Sequence, residues 1–480
     1  MFYSVKDLIA VLPEITLAVF AFIILFVDLW LPEKKKEFNG LLALLGVLVA
    51  LGISAFSWNL NTSAFAGTIV VDRAATAGNI IILLVSFASI LMGFDFLKRE
   101  GIDKGEYYEV LLLSVVAMLV LSSTFNLVSA FVAIETLSIG MYVLTGFLRN
   151  KTESIEGAMK YFILGSFASS FLVLGIALLF GLFGSFDLTL IGHKLSSADS
   201  LHRWASILAF VLIFVGFGFK IAAFPFHAWT PDVYAAAPTP VSAFMSVAPK
   251  VAGFIILLRF LAVGLGGVHM EWAKLLWIVA AATMTVGNTV ALWQKDLKRL
   301  LGYSSIAHAG YMLVGITAAN QLGYGAVIFY LFGYLFMNLG AFAMAEFISQ
   351  KEDRGTEIEN LRGLGYRYPL LGLSMLLFMF GLAGVPPTVG FIGKYYLFSA
   401  AVKSHLYWLA VIGVINSAIS AYFYLNIVVT MYMKGEPEKP IAVLDSLPLK
   451  VVVVLGAIGV TFVGIFPGSF LDVAMRSVLF

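Results

Sequence analysis

The chain of 480 residues contains no cysteine. Thiolate-held iron–sulfur clusters, cysteine zinc sites and disulfides are therefore excluded within it. Histidine is scarce too, six in all, and no pair stands at a spacing such as His-x-x-x-His. A dedicated metal site is not expected, nor, with no glycine-rich loop following a strand pattern, is a nucleotide site. Charge is the third shortage. Asp, Glu, Lys and Arg make up 12% of the residues, too few to cover a soluble domain of this size. A net charge of +2 gives no sign of a nucleic-acid partner, and none is expected.

What is abundant is apolar sequence: 61% of residues, with a mean hydropathy of +0.97. Runs of about 18 to 25 apolar residues recur along the whole length, the span needed to cross about 30 Å of hydrocarbon. They predict an all-α polytopic membrane protein with about fourteen spans, roughly 8–31, 40–58, 74–97, 107–123, 125–148, 157–183, 204–224, 240–263, 272–294, 300–319, 323–349, 369–400, 404–433 and 448–471. The first run carries Pro13, Glu14 and Asp28 with no small-residue cleavage site after it, and reads as a retained helix. No long polar stretch leaves room for a separate soluble domain.

Lysine and arginine placement orients the spans, because cytoplasmic loops carry an excess of both. With the N-terminus outside, eighteen basic residues fall in cytoplasmic loops, among them Lys34, Lys298, Lys351, Arg354 and Lys439. Eight fall outside, among them Arg73, Arg259 and Arg476. Both termini are accordingly expected on the outer side of the membrane. The remaining four, Lys160, Lys220, Lys250 and Lys394, lie within apolar spans.

An internal repeat is expected. GAMKYFILG (157–165) and GAVIFYLFG (325–333) are 168 residues apart, and SIGMYVL from Ser138 and HAGYMLV from His308 are 170 apart. Proline breaks at Pro225 and at Pro386-Pro387 are offset by 161. Spans 4–8 and 9–13 would form two five-helix units, and an odd number inverts the second relative to the first. Inverted repeats with matched broken helices are the sequence signature of secondary transporters. The expected division is helices 1–3 over 1–106, a first repeat over 107–265, an inverted second repeat over 266–433 and a last helix over 434–480, with helices 7 and 12 broken. An intramembrane proline frees a carbonyl, which is tolerated inside protein or beside a water-lined cavity.

A charged side chain at bilayer depth costs on the order of 2.5–3.5 kcal/mol and normally faces a partner in the bundle. Glu135, in FVAIETLSIG, has no basic residue within a turn or two, so its partner must come from another helix, unless hydroxyls such as Thr136 hold it neutral. Lys220 precedes the first break, Lys250 follows Pro249, and Lys394 follows the second break. Snorkelling to an interface is the alternative for each lysine, strongest for Lys160. His308 reads equally as a packing histidine or a relay member, and His227 and Asp232 could link the interior to cytoplasmic water. One carboxylate and three lysines brought together near the midplane suit proton exchange better than cation binding.

FHAWTPDVYAAAPTPVSAF is similar to the signature of the antiporter-like, proton-conducting subunits of respiratory complex I and of multisubunit sodium/proton antiporters. SVAPKVAGF, GYSSIAHAGYMLVG and GVPPTVGFIGKYYLF resemble the N-type branch of that family in bacterial NADH–quinone oxidoreductase. The L type has a long C-terminal extension, whereas this sequence stops at Phe480, and the M type has a glutamate where this chain has Lys394. The resemblance implies that Glu135 pairs with Lys220, that Lys250 is the central lysine and Lys394 the terminal one. It implies a membrane-embedded subunit without a redox cofactor. NADH, flavin (FMN), iron–sulfur clusters and quinone would be bound by other subunits, with the M-type and the small J-, K-, A- and H-type membrane subunits as partners. A cation/proton antiporter subunit, a hydrogenase-linked relative and a structural scaffold are the other readings.

Overall fold

A bilayer offers backbone groups no water, so a chain this apolar must close its hydrogen bonds within each segment. The computed structural model describes residues 5–32, 35–102, 104–349, 355–435 and 443–478, and does so almost entirely with helices. Lys34, Lys351, Arg354 and Lys439, four of the cations used to orient the spans, lie outside the described residues. The N-terminal part comprises α1 (Val5–Ala10), α2 (Leu12–Trp30), α3 (Glu37–Phe56) and α4 (Arg73–Glu100). Next come α5 (Gly105–Ser123), α6 (Leu127–Thr145), α7 (Thr152–Phe183), the short α8 (Leu188–Ser196), α9 (Ser200–Ile221), α10 (Trp229–Ala236) and α11 (Thr239–Arg259). α12 (His269–Ala291), α13 (Leu297–Thr317), α14 (Gln321–Ile348), α15 (Leu364–Arg367), α16 (Pro369–Ala383), α17 (Val389–Lys403) and α18 (Tyr407–Tyr432) follow, then α19 (Leu447–Ile465) and α20 (Gly468–Arg476).

Among the described residues twelve helices are long and apolar enough to cross a membrane. The expected fourteen is reached only by adding α13, which is buried along almost its whole length, and the interrupted pair α16–α17. Three departures from the sequence reading are local. The first span restarts at Leu12 with Pro13 in the opening turn, and the last divides at Pro467 into α19 and the short α20. Between α3 and α4 the chain forms an antiparallel hairpin, β1 (Thr62–Ala64) with β2 (Ile69–Val71), too short to register as strand periodicity.

Side chains close the helix starts. Asp72 accepts from the Ala75 N–H at α4, Asn126 from Val128 and Ser129 at α6, and Asp296 from Arg299 at α13. Gly101, Gly184 and Gly384, all at positive φ, end α4, α7 and α16. At the centre stands α11, every residue of which is buried; it packs against α4, α14, α5, α9 and α6. The perimeter is apolar instead: Phe22, Ile163, Phe167 and Ile415 are exposed, as a bilayer or neighbouring membrane subunits require.

Candidate functional site

Three lysines project into this interior from separate elements. Lys220 (5% exposed) ends α9, Lys250 (1%) lies in α11, and Lys394 (4%) lies in α17. Each has its own local backbone irregularity.

At the first break α9 stops with Ala222 in the left-handed region (φ 60°), and α10 restarts at Trp229. Several of the freed groups are satisfied: Ala223 N–H reaches Gly218 O at 2.8 Å, Trp229 Nε1 donates to Phe219 O at 3.1 Å, and Phe224 N–H donates to Thr283 Oγ1 of α12 at 3.0 Å. Lys220 Nζ donates to Ser138 Oγ on α6 at 2.5 Å. It also sits 5.5 to 6.0 Å from the ring centroids of Phe219, Tyr161 and Tyr142, within the reach of cation–π attraction.

Glu135 stands one turn before Ser138 on the same helix, half-buried, and accepts from Ser169 Oγ of α7. The partner does come from another helix, but it is a hydroxyl. No ion pair within 4.0 Å joins Glu135 to Lys220; Lys220 is held by Ser138, one turn from Glu135 on α6, and Glu135 by Ser169 on α7. Thr136 is turned outward and bonds its own backbone at Val132 O, so it does not serve the carboxyl.

Lys250 follows Pro249, which removes one helical donor and would leave Met245 O unpaired. Tyr234 OH of α10 takes the place of that donor, 3.2 Å from Met245 O. Lys250 Nζ donates to Ser305 O at 2.6 Å and to Ser305 Oγ on α13. One turn on, Gly253 brings α11 against α9: an added Cβ would lie 3.0 Å from Ile221 Cγ2 and 3.8 Å from Lys220 Cβ.

From Ser305 the same face of α13 carries His308 and Tyr311, each three residues on. His308 Nδ1 is 2.7 Å from Tyr330 OH and Nε2 is 3.1 Å from Tyr424 OH. Tyr311 lies under Lys394, whose Nζ is 4.7 Å from the ring centroid. Lys394 itself reaches back across the second break, donating to Leu382 O (3.0 Å), Ala383 O (2.9 Å) and Ser417 Oγ (3.0 Å). It thus caps the C-terminal end of α16, where helix carbonyls and dipole favour a cation.

Pro225, Pro386 and Pro387 are exposed on the surface of this chain. At the second break the carbonyls four residues before the prolines, Leu382 O and Ala383 O, are bonded by Lys394.

Of the access residues, Asp232 and Lys160 come together at one polar cavity. Asp232 accepts from Arg299 at 2.9 Å and from Lys160 at 3.4 Å, and Lys160 also pairs with Glu156 at 2.7 Å. These groups, with Asp296 and Glu357, line an open polar cavity of about 500 Å³. The Lys160 side chain is 45% exposed and belongs to this rim, not to the buried row. His227 stacks on Phe224, with its Nδ1 buried and unbonded.

Sequence reasoning missed several buried charges. Arg259, counted as an outer-face residue, is fully buried, bound through both terminal nitrogens to Asp72 (2.8 Å each) and through Nε to Ser122 O. Lys298, counted in a loop, opens α13 buried and donates to Ala237 O at 2.7 Å. Glu346 and Arg99 form a further inner pair at 3.0 Å. All stand near helix ends, where sequence alone reads a charge as interfacial.

Residues 124–420 match the family described as NADH:quinone oxidoreductase/Mrp antiporter, transmembrane region. The chain is 41% identical to the NADH-quinone oxidoreductase subunit N of Trichlorobacter lovleyi, over 99% of this chain and 98% of that relative. In a solved structure of respiratory complex I from Thermus thermophilus with bound aureothin, one chain superposes with a TM-score of 0.83 at 34% identity, covering 96% of this chain and 98% of that one. A chain of the Mrp complex of Dietzia sp. shares the fold, with a TM-score of 0.86 at 18% identity and coverage of 98% and 96%. With its multi-pass helical bundle, this chain belongs to the antiporter-like transmembrane family of NADH:quinone oxidoreductase and Mrp antiporters, within the subunit N group.

Proposed function

We propose that this chain moves protons across the membrane as a subunit of an NADH–quinone oxidoreductase, using Glu135, Lys220, Lys250 and Lys394. The observation that carries the reading is a row of three buried lysines without a carboxylate within 4.0 Å among the described residues, each held by hydroxyls or carbonyls. An ammonium held only by dipoles can pass its proton on when a neighbouring charge changes. Ser305, His308 and Tyr311 on α13 give the span between Lys250 and Lys394 a continuous polar lining.

In this mechanism a proton enters through the Asp232 cavity, with His227 and Lys160 at its approach. Lys220, gated by the charge of Glu135 one turn from its serine partner, exchanges with Lys250 and then Lys394 through bound water. Lys394 releases outward. Moving one charge against the membrane potential takes about 2.3 kcal/mol per 100 mV, supplied by quinone reduction in other subunits, where NADH, FMN, iron–sulfur clusters and quinone would bind. This chain would hold no redox site, would pack against M-type and small J-, K-, A- and H-type membrane subunits, and would sit in a bacterial inner membrane with both termini periplasmic. Segments 107–265 and 266–433 would be inverted copies. An experimental structure in which they fail to superpose after a half-turn about an in-plane axis would remove that part.

The test is the proton-to-electron ratio of the purified complex in sealed vesicles. Lys220→Met and Glu135→Gln should each assemble and lose coupled pumping through this subunit. An unchanged ratio in either assembled variant overturns the reading. If the purified assembly lacks NADH- and quinone-binding subunits, the antiporter or hydrogenase-linked role takes its place. Full pumping after neutralising both Lys250 and Lys394 would instead indicate a scaffold.

A further inference from the structure

Arg73 and Arg476 come from opposite ends of the chain and line one polar pocket of about 420 Å³, on the membrane face that carries the hairpin β1–β2. By the sequence count this is the cation-poor face, where two converging guanidiniums call for a reason. Both are exposed, and neither has an ion pair or hydrogen bond to any described residue. Asp72 also lines the pocket, but both its oxygens are taken by the buried Arg259, which cancels its charge from behind. Asn59 and Asn61 add neutral amide donors at the rim.

A narrow apolar groove of about 90 Å³ meets this pocket at Trp58, which lines both. Arg73, Ala77 and Ile81 follow at four-residue spacing on α4, so one helix face runs from the charged rim to about 12 Å deeper. Ile328 and Phe332 of α14 form the opposite wall, and Phe470 and Val473 of α20 the roof. Phe470 stacks on Phe332 with centroids 5.4 Å apart, while Asp472 and Arg476 of the same short helix face outward. That is the layout of a helix lying in the interface, and Trp58 is the side chain favoured at that depth.

We propose that this is a binding site for one anionic phospholipid, its phosphodiester held between Arg73 and Arg476 and the first few methylenes of one acyl chain laid in the groove. Guanidinium groups match phosphate oxygens in pairs. The groove continuing from the anion pocket selects a lipid over a soluble phosphate. A helix of about 10 Å diameter does not fit it, which argues against a partner's helix. The bound lipid fastens α20 to α4, and so ties the C-terminal helices to the N-terminal ones, independently of any proton path.

The test uses the intact detergent-purified complex and photoactivatable phosphatidylglycerol, with phosphatidylcholine carrying the same tail probe as the control. The expected result is label on peptides of α4, α14 and α20, about tenfold less from phosphatidylcholine and about tenfold less in Arg73→Gln/Arg476→Gln. Arg73→Lys/Arg476→Lys should keep most of it, and Ala77→Phe, which fills the groove but spares the charges, should lose it. Equal labelling by the two lipids, undiminished labelling in the double Gln variant, displacement by millimolar glycerol phosphate, or a neighbouring subunit's side chain seated in the groove would each overturn the proposal.

Discussion

The two broken helices use the same material differently. At the first break the lysine lies before the interruption, and another helix seals the free backbone: Thr283 takes the Phe224 N–H. At the second the lysine lies after the interruption and is itself the seal, bonding Leu382 O and Ala383 O. An ammonium has three donors. Lys394 directs all three at protein acceptors, Lys250 two at Ser305, and Lys220 one at Ser138. Along the row the protein grips its lysines progressively harder, and the loosest one stands beside Glu135. A group meant to respond to a neighbouring charge should be loosely held, whereas one closing a helix end should not.

The largest effect should therefore separate function from stability. Lys220→Met is expected to abolish pumping while leaving the thermal midpoint of the assembled complex near wild type, because methionine suits the aromatic surroundings and only one hydrogen bond goes. Lys394→Met is expected to lose pumping and also to destabilise the chain by about 2–3 kcal/mol, since charge-assisted bonds to two carbonyls disappear. Equal midpoints for the two variants in scanning fluorimetry would erase the distinction between the breaks.

A smaller, finer contrast lies in the serines. Ser138→Ala removes the protein acceptor of Lys220 and should slow coupled pumping about tenfold, given the worth of a hydrogen bond to a charged group. Ser417→Ala leaves Lys394 its two carbonyls and should change the rate by less than about twofold. The reverse order, measured in vesicles at matched electron flux, would mean that the tightly held lysine is the one that limits transfer.

Glu135, Lys220, Lys250 and Lys394 could be picked out of the sequence because a charge within an apolar run is too costly to be incidental. Their partners could not. Ser138, Ser169, Ser305 and Ser417 meet partners from other helices, whereas serine in a membrane helix usually bonds its own backbone, as Ser114 does with Val110 O and Ser138 also does with Ile134 O. The same locality hid Arg259: at the end of a span it reads as a snorkelling cation, and only the fold brings Asp72, 187 residues away, against it. The breaks were legible from Pro225 and Pro386-Pro387, but their outward facing was not, because proline reports where a helix stops and not which way it points. The short helices α1, α8 and α20 and the three-residue strands fall below the length at which periodicity speaks.

The smallest effect tests how the first break is sealed. Thr283→Val is nearly isosteric and leaves the Phe224 N–H without its partner, a loss worth about 1–2 kcal/mol at a half-buried amide. Local opening should then carry amide exchange over residues 223–227 about five- to thirtyfold faster, with pumping little changed. The corresponding threonine at the second break, Thr388, bonds Val385 O at 2.7 Å, but that carbonyl also receives the Thr388 N–H at 3.1 Å. Thr388→Val should accordingly leave exchange across its break almost unaltered while Lys394 remains in place. Faster exchange at both breaks in the two valine variants would show that the second is not sealed by its lysine, and the contrast drawn from the hydrogen bonds would fall with it.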